Sequence, residues 1–490
     1  MSRSQPRRRT EDLAGRVEKV GVECLPEQAR DSSPRNLGAV FIGANVGWLS
    51  VVIGTFPITF GLTFWESTTA AIVGCGLGTL AITPLAMIGT RTGTNMTVAS
   101  GAHFGIRGRF VGTLLSLLIA IAFGAMTAWT SGDALVATAN RVFGLPVNDL
   151  THAVGYALIA VVMIAVALYG HGTVVAMQKV AIPVAGIALL FGVFAFRDGF
   201  DPGFSTGTYA LDGFWPTWML AAALAASAPI SYGPQIGDYT RRISRLRYSD
   251  TKVMSALGVS MFLGCVVPAS AGTFIAVSIA DTGTGDYIAD IVTAAPGWFV
   301  PAIVILSMFS GLSQGTLCVY ASGLDLEGLM PRLTRVQTTL IAATSAVAVL
   351  YIGVFVFDAV ESVTAFSVLL TAVCGPWVAI LAIEALRHRT RDYDQHDLQA
   401  YAQRRRGGRY WFTGGWHIPA LLAWLVGSGF GLLTVNTTLY RGPLADLGAG
   451  IDLSVVGSAL VAAAVYGGVM ALSRSRIIVG DPAEPTVVTA

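Results

Sequence analysis

The chain is short of charge. Asp, Glu, Lys and Arg make up 12% of its 490 residues, about half the share found in soluble domains, and that shortage excludes an ordinary soluble or collagen-like protein. Cysteine is scarce too. There are five, with no CxxC pair: Cys75, Cys265, Cys318 and Cys374 lie in apolar runs and Cys24 in the polar N-terminal stretch. They read as small hydrophobes and exclude a disulfide scaffold, a redox pair or a zinc site. The formal net charge of +2 gives no reason to expect a nucleic-acid partner. HExxH, GxxxxGK[ST] and paired carboxylates within apolar runs are all missing, so neither an ATP-driven nor a hydrolytic machine is expected. Gly311-Leu312-Ser313-Gln314-Gly315 does fit GxSxG, but it sits inside an apolar run where the strand-turn-helix elbow of a hydrolase cannot form. Residues 1–35, with Arg7, Arg8 and Arg9, lack the apolar core of a signal peptide. They are expected to form an uncleaved, disordered tail.

Apolar length is what the chain has in quantity. Hydrophobic residues reach 53%, mean hydropathy is +0.64, and apolar runs of about 20 residues, enough to cross the hydrocarbon core, recur along the chain. They fall near 37–61, 67–89, 110–136, 152–170, 173–196, 214–236, 253–280, 298–323, 336–357, 361–385, 417–437 and 452–472. Every backbone N–H and C=O in lipid must be paired internally, so runs this long without polar alternation predict helices. The expected class is an all-α membrane protein with twelve transmembrane helices, set in the plasma membrane. With both termini on the cytoplasmic side, only Arg141, Arg197 and Arg441 face outward, the distribution that basic residues adopt. The clusters from Arg241 to Lys252 and from Arg387 to Arg409 then set topology.

A helix that only crosses lipid has no use for helix breakers, so polar Gly- and Pro-containing clusters inside apolar runs mark candidate sites. One is Gly43-Ala44-Asn45-Val46-Gly47-Trp48-Leu49-Ser50 in span one. The other is Ser227-Ala228-Pro229-Ile230-Ser231-Tyr232-Gly233-Pro234-Gln235 in span six. Two breaks five spans apart are the pattern of an inverted-repeat transporter, in which unwound backbone offers carbonyls to a cation and helix N-termini to a polar solute. The alternative is that Gly43 and Gly47 form a packing face and that Pro229 and Pro234 only kink a helix. At Gly74/Gly78 and Gly427/Gly431, where no Asn, Gln or Pro accompanies the motif, packing is expected. Span eight adds Ser307, Ser310, Ser313, Gln314 and Thr316. On a regular helix Ser310, Ser313 and Gln314 share a face, suited to Na⁺; the alternative is that the hydroxyls bond carbonyls one turn back. Glu66, Asp133 and Asp238 are the candidate intramembrane charges. Trp48 and Trp129 are candidate stacking surfaces, and His103 and His171 are placed in loops.

Four strings, Gly61-Leu62-Thr63-Phe64-Trp65-Glu66-Ser67, Gly89-Thr90-Arg91-Thr92-Gly93 with Phe104-Gly105, Gly237-Asp238-Tyr239-Thr240-Arg241 and Tyr320-Ala321-Ser322-Gly323-Leu324, resemble the nucleobase:cation symporter family, in particular its purine-cytosine permease branch. The resemblance spans about residues 36–472. It implies a LeuT-type fold: a first five-helix repeat over 36–196, a second, inverted one over 214–385, a cytoplasmic basic linker over 386–416, helices eleven and twelve over 417–472 and a C-terminal tail over 473–490. By the same resemblance the solute would meet Asn45 and Trp48, Phe123 and Thr127 of span three, Ser231 and Tyr232 of span six, and Gln314. A sodium site would use the carbonyls of Ala44 and Gly47 with oxygens of Phe309, Ser310 and Ser313. Two departures stand out. Sodium-coupled members carry two adjacent hydroxyls where this chain has Leu312-Ser313, leaving proton coupling open, and the family's span-three Trp and amide are replaced around Ala122, Phe123 and Gly124.

The expected activity is import of a nucleobase-like heterocycle, purine or cytosine, by symport with Na⁺ or H⁺ and alternating access, with no enzyme chemistry, no cofactor, no nucleic acid and no obligate protein partner. An allantoin, hydantoin, thiamine or pyridoxine-like cargo is the first alternative. A channel or membrane scaffold is the more remote one.

Overall fold

Ser33 starts the first helix: its side chain accepts the Asn36 N–H at 3.3 Å and Pro34 takes the first helical position, where its missing N–H costs nothing. The computed structural model describes residues 22–279, 287–330, 332–356, 359–388 and 392–474. The tails expected before residue 22 and after residue 474 lie outside the described residues. Among those described, every regular element is helical and β structure is confined to isolated bridges.

The main helices are α1 (Pro34–Asn45), α2 (Trp48–Thr59), α3 (Phe64–Ile82), α4 (Arg109–Phe143), α5 (Asp149–Leu168), α6 (Gly170–Phe196), α7 (Phe214–Ser231), α8 (Asp250–Ser278), α9 (Val300–Ser310), α10 (Thr316–Leu329), α11 (Arg335–Val356), α12 (Ala359–Arg387), α13 (Ile418–Thr434) and α14 (Ser454–Arg474). Local chemistry sets several starts. Thr63 and Glu66 form a capping box for α3, as Asn148 and Thr151 do for α5, so two orphan N–H groups at each start are satisfied. Glu66 is thereby a helix cap at a span end. Nine described spans are long and apolar enough to cross a membrane, and the α1–α2 pair, bent by 53°, makes a tenth. The two remaining expected spans correspond to α7 with its short continuation and to α13, which has only 17 residues.

α3 lies along α7, α1 and α2 along α8, and α4 against α10 and α11, while α13 and α14 pack together on α12. Small residues allow these approaches. A Cβ at Gly74 would stand 2.1 Å from the Ala222 carbonyl of α7, and one at Gly427 would stand 2.7 Å from the Ser458 carbonyl of α14. Both of these GxxxG pairs are therefore packing faces. α3, α5, α6 and α11 expose many large apolar side chains, Leu80, Val161, Leu190 and Ile352 among them, as lipid contact requires.

Three expectations need correction. Of residues 43–50 only Val46 and Gly47 leave the helix, so the first break is two residues wide. In span six the helix continues through Pro229 to Ser231 and tightens to a 3₁₀ turn over Gly233–Gln235 before Ile236–Thr240. Because a 3₁₀ turn keeps its i→i+3 bonds, no open coil forms there. Finally, the N-terminal segment is packed from residue 22 onward. Leu25 N–H donates to the Gly93 carbonyl, Ser32 N–H to the Arg242 carbonyl, and Gln399 Nε2 to the Val22 carbonyl, tying one strap to three elements on the basic face.

Candidate solute and cation site

The break in the first span meets span eight at two hydroxyls. Gly47 is extended, and its Trp48 neighbour donates its backbone N–H to Ser310 Oγ at 2.8 Å. A Cβ on Gly47 would stand 2.5 Å from that same oxygen, so only glycine lets the chain come this close. One turn earlier Ser313 Oγ donates to the Gly43 carbonyl, freed from its helical partner because the Gly47 N–H bonds the Asn45 carbonyl instead. The Ala44 carbonyl has no main-chain donor among the described residues. Phe309 precedes Ser310 and is half-buried.

Ser313 and Gln314 do not lie on a regular helix. Gly311–Gly315 is a π-helical turn between α9 and α10, and the residue it inserts rotates the side chains after it relative to an α-helix. Serine spacing gives no sign of such a turn. Sequence reasoning also missed Gln178 of α6. It is fully buried, its Oε1 lies 2.5 Å from Ser313 Oγ, its Nε2 donates to the Ser313 carbonyl at 3.1 Å, and it fills the space beside Gly43. The available signal was a lone amide in an apolar run. Gly43, Ser310, Ser313 and Gln178 together bring neutral oxygens to one side of the break.

On the other side stand aromatic and amide groups. Phe41 packs edge-on against Tyr232 at 5.4 Å and against Tyr239 at 5.6 Å, which joins the first and sixth spans. Asn45 Nδ2 donates to the Phe41 carbonyl at 2.8 Å. The Tyr232 hydroxyl faces Asn45 and Gln314 but meets neither in hydrogen-bond geometry. Tyr232 Oη, Gln314 Oε1 and Trp48 Nε1 are buried without hydrogen-bond partners among the described residues. Each such atom costs about 1–3 kcal/mol until met.

The other candidates are placed differently. Thr127 Oγ1 donates to the Phe123 carbonyl at 2.7 Å and Ser231 Oγ to the Ala228 carbonyl at 2.7 Å, so both hydroxyls spend their hydrogens one turn back. Phe123 is buried on α4. Trp129 lines an apolar cavity of about 240 Å³ against α11 and α12, with Met126, Leu350 and Phe366. Asp133 accepts from Tyr156 Oη at 2.5 Å and pairs with His152 at 2.8 Å, and Asp238 Oδ1 accepts the Met96 N–H at 3.1 Å. The loop placement of His103 is wrong: it lies in the helical turn Gly101–Phe104, 3% exposed, with Nδ1 3.4 Å from Glu384 and Nε2 3.0 Å from the Tyr393 hydroxyl. Burial depresses its pKa, against the opposing pull of Glu384. The side chain of His171 lies outside the described residues.

A family model described as permease for cytosine/purines, uracil, thiamine, allantoin matches residues 24–459. The chain belongs to this family. The permease is 23% identical over 479 residues to a Bacillus subtilis (strain 168) protein named as purine-cytosine permease YxlA, covering 92% of this chain and 95% of the relative. It is also 23% identical over 430 residues to the hydantoin permease of Microbacterium maritypicum, covering 85% of each. Among solved structures it is similar to Mhp1, a nucleobase-cation-symport-1 family transporter, closed with bromovinylhydantoin bound, with a TM-score of 0.71, 18% identity, and 93% and 96% of the two chains covered. The inward-facing conformation of Mhp1 gives a TM-score of 0.68 at 19% identity over the same shares. The permease thus has the Mhp1-type fold and is a multi-pass membrane transporter, not an enzyme.

Proposed function

We propose that the permease imports a flat, uncharged, nucleobase-like heterocycle, a purine or cytosine, in symport with Na⁺ or H⁺. The observation that carries this reading is the trio of buried, unpartnered polar atoms at Trp48, Tyr232 and Gln314 beside a two-residue break in the first span. A heterocycle edge that supplies donors and acceptors would remove their cost. A charged solute would call for a counter-charge, whereas the side chains proposed here, Asn45, Trp48, Phe123, Thr127, Ser231, Tyr232 and Gln314, are neutral. Ser231 and Thr127 would act through their remaining acceptor capacity, and the indole of Trp48 would offer its face or its N–H.

The coupling ion would bind between the Ala44 and Gly47 carbonyls and the oxygens of Phe309, Ser310 and Ser313, with Gln178 Oε1 as a further neutral ligand. Neutral oxygens suit a monovalent cation. Ser313 occupied by Gly43 and Gln178 suits a site that opens only when the bundle rocks, and proton coupling is the other form of this reading. Alternating access would rock spans one, two, six and seven against three, four, eight and nine, in a twelve-span protein of two repeats (36–196 and 214–385) plus helices eleven and twelve, within the plasma membrane, both termini and the 386–416 linker facing the cytoplasm. A hydantoin or allantoin cargo is the second reading, favoured by the hydantoin permease relative.

Binding to the purified protein tests the cargo. Thermal unfolding with cytosine, adenine, hypoxanthine, uracil, allantoin and a substituted hydantoin is expected to show a rise for a purine or cytosine and little for the rest. Stabilisation by the hydantoin alone would transfer the assignment to the second reading, and none by any compound would overturn both.

A further inference from the structure

Away from the solute site, a cavity of about 610 Å³ lies between the end of α10, the turn before α11 and the linker after residue 400. Its walls carry Arg107, Arg332, Arg404, Arg405 and Arg406 and no carboxylate. Arg405 is committed: its Nη2 donates to Asp397 at 2.9 Å. Arg107, Arg332, Arg404 and Arg406 are exposed and form no ion pair among the described residues. Four unpaired guanidiniums around one hollow sum to a positive potential that attracts an anion, most strongly at low salt.

The rest of the wall is apolar and aromatic. Leu329, Met330 and Leu333 line it with Tyr401 and Trp411. The guanidinium of Arg107 lies 5.3 Å over the Trp411 ring, and that of Arg109 4.9 Å over Tyr401. These contacts fix the ring faces and leave the planar donors of Arg107 free to bond oxygens. α11 begins next to the cavity, and its Val336 and Leu340 are outward-facing, continuing the apolar surface away from the arginines. A soluble anion would need only the charge. A cavity with arginines at one side and a lipid-facing helix at the other suits a ligand with a charged head and an apolar tail.

We propose that this cavity binds the phosphate headgroup of an anionic phospholipid, the arginines holding the phosphodiester and the side chains of Leu329, Met330 and Leu333 receiving the glycerol and first methylenes. The site is independent of which heterocycle is carried. It gives the basic linker a ligand as well as a role in topology.

The test uses the full chain purified in detergent, with native mass spectrometry after addition of phosphatidylglycerol or phosphatidylcholine, and with inorganic phosphate in a parallel arm. Phosphatidylglycerol adducts are expected to persist and phosphatidylcholine to strip away. In the triple variant Arg332→Gln, Arg404→Gln, Arg406→Gln, apparent affinity for phosphatidylglycerol should fall at least about tenfold, since each basic side chain adds to the attraction. The corresponding triple Lys variant, which keeps the charge, should retain most of it and controls for folding. Equal retention of the two lipids, or unchanged phosphatidylglycerol binding in the Gln variant, would overturn the proposal. So would loss of the lipid preference when inorganic phosphate is present at equal concentration, since the ligand would then be a free anion.

Discussion

The Trp48 backbone N–H donates to Ser310 Oγ at 2.8 Å across the break in the first span, so the same serine that caps the start of α2 stands within the candidate cation site. This coupling explains why glycine occupies position 47: a Cβ there would meet Ser310 Oγ at 2.5 Å. Gly47→Ala is expected to push the first span away from α9 and abolish uptake while leaving membrane insertion intact. Ser310→Ala, which leaves the Trp48 N–H without its acceptor, should destabilise by about 1–3 kcal/mol, read as a lower unfolding temperature in detergent, and should weaken ion dependence of transport.

Gln178 bonds Ser313 through both ends of its amide. Gln178→Leu keeps the volume and removes both contacts, so the buried Ser313 carbonyl loses its side-chain partner. The expected result is a rise of about tenfold or more in the cation concentration for half-maximal uptake, from the loss of roughly 1–3 kcal/mol, with solute KM at saturating cation little changed. Uptake titrated with Na⁺ at fixed pH, and with pH at fixed Na⁺, separates the two couplings.

Trp48→Phe removes one unpartnered donor and keeps an aromatic face; Gln314→Leu removes an unpartnered acceptor. Each should raise solute KM by about one to two orders of magnitude if that atom meets the solute, without a change in cation dependence. Equilibrium binding of the labelled base checks both. Trp129→Phe, in the apolar cavity beside α11 and α12, should leave solute KM unchanged.

The sign of the pH dependence follows from His103. Burial holds its pKa below that of an exposed histidine, so the unfolded chain takes up a proton that the folded chain refuses. Folding stability from this group is therefore complete at pH above the ordinary value of about 6.5 and is lost as pH falls below it. His103→Gln should flatten the decline in unfolding temperature between about pH 6.5 and 5, the range beneath that ordinary value, measured by thermal scans of the detergent-solubilised protein.

The helical class and the first break were legible in the sequence because both rest on strong physical constraints: lipid forbids unpaired backbone, and a Gly-x-x-x-Gly with Asn and Trp has little reason to sit in a plain span. Gly74 and Gly427 were legible as packing for the same reason. The π-helical turn at Gly311–Gly315 was not, since it inserts a residue without any special side chain. Pro229 misled, because a proline whose lost hydrogen bond is tolerated can stay inside a helix such as α7. His103 and the strap from Val22 were hidden by tertiary contacts: Glu384 is 281 positions away from His103 in the chain, and local polarity alone cannot reveal such a partner.

Counterflow and uptake in proteoliposomes, with labelled cytosine and adenine and with Na⁺ and H⁺ gradients imposed separately, tests the central claim most directly. The account predicts that one base accumulates when one of the two gradients is directed inward, and that Gly47→Ala and Gln178→Leu each abolish or shift that gradient dependence. Accumulation that ignores both gradients, or that survives both substitutions unchanged, would contradict a solute and an ion meeting at the break between Gly43 and Trp48.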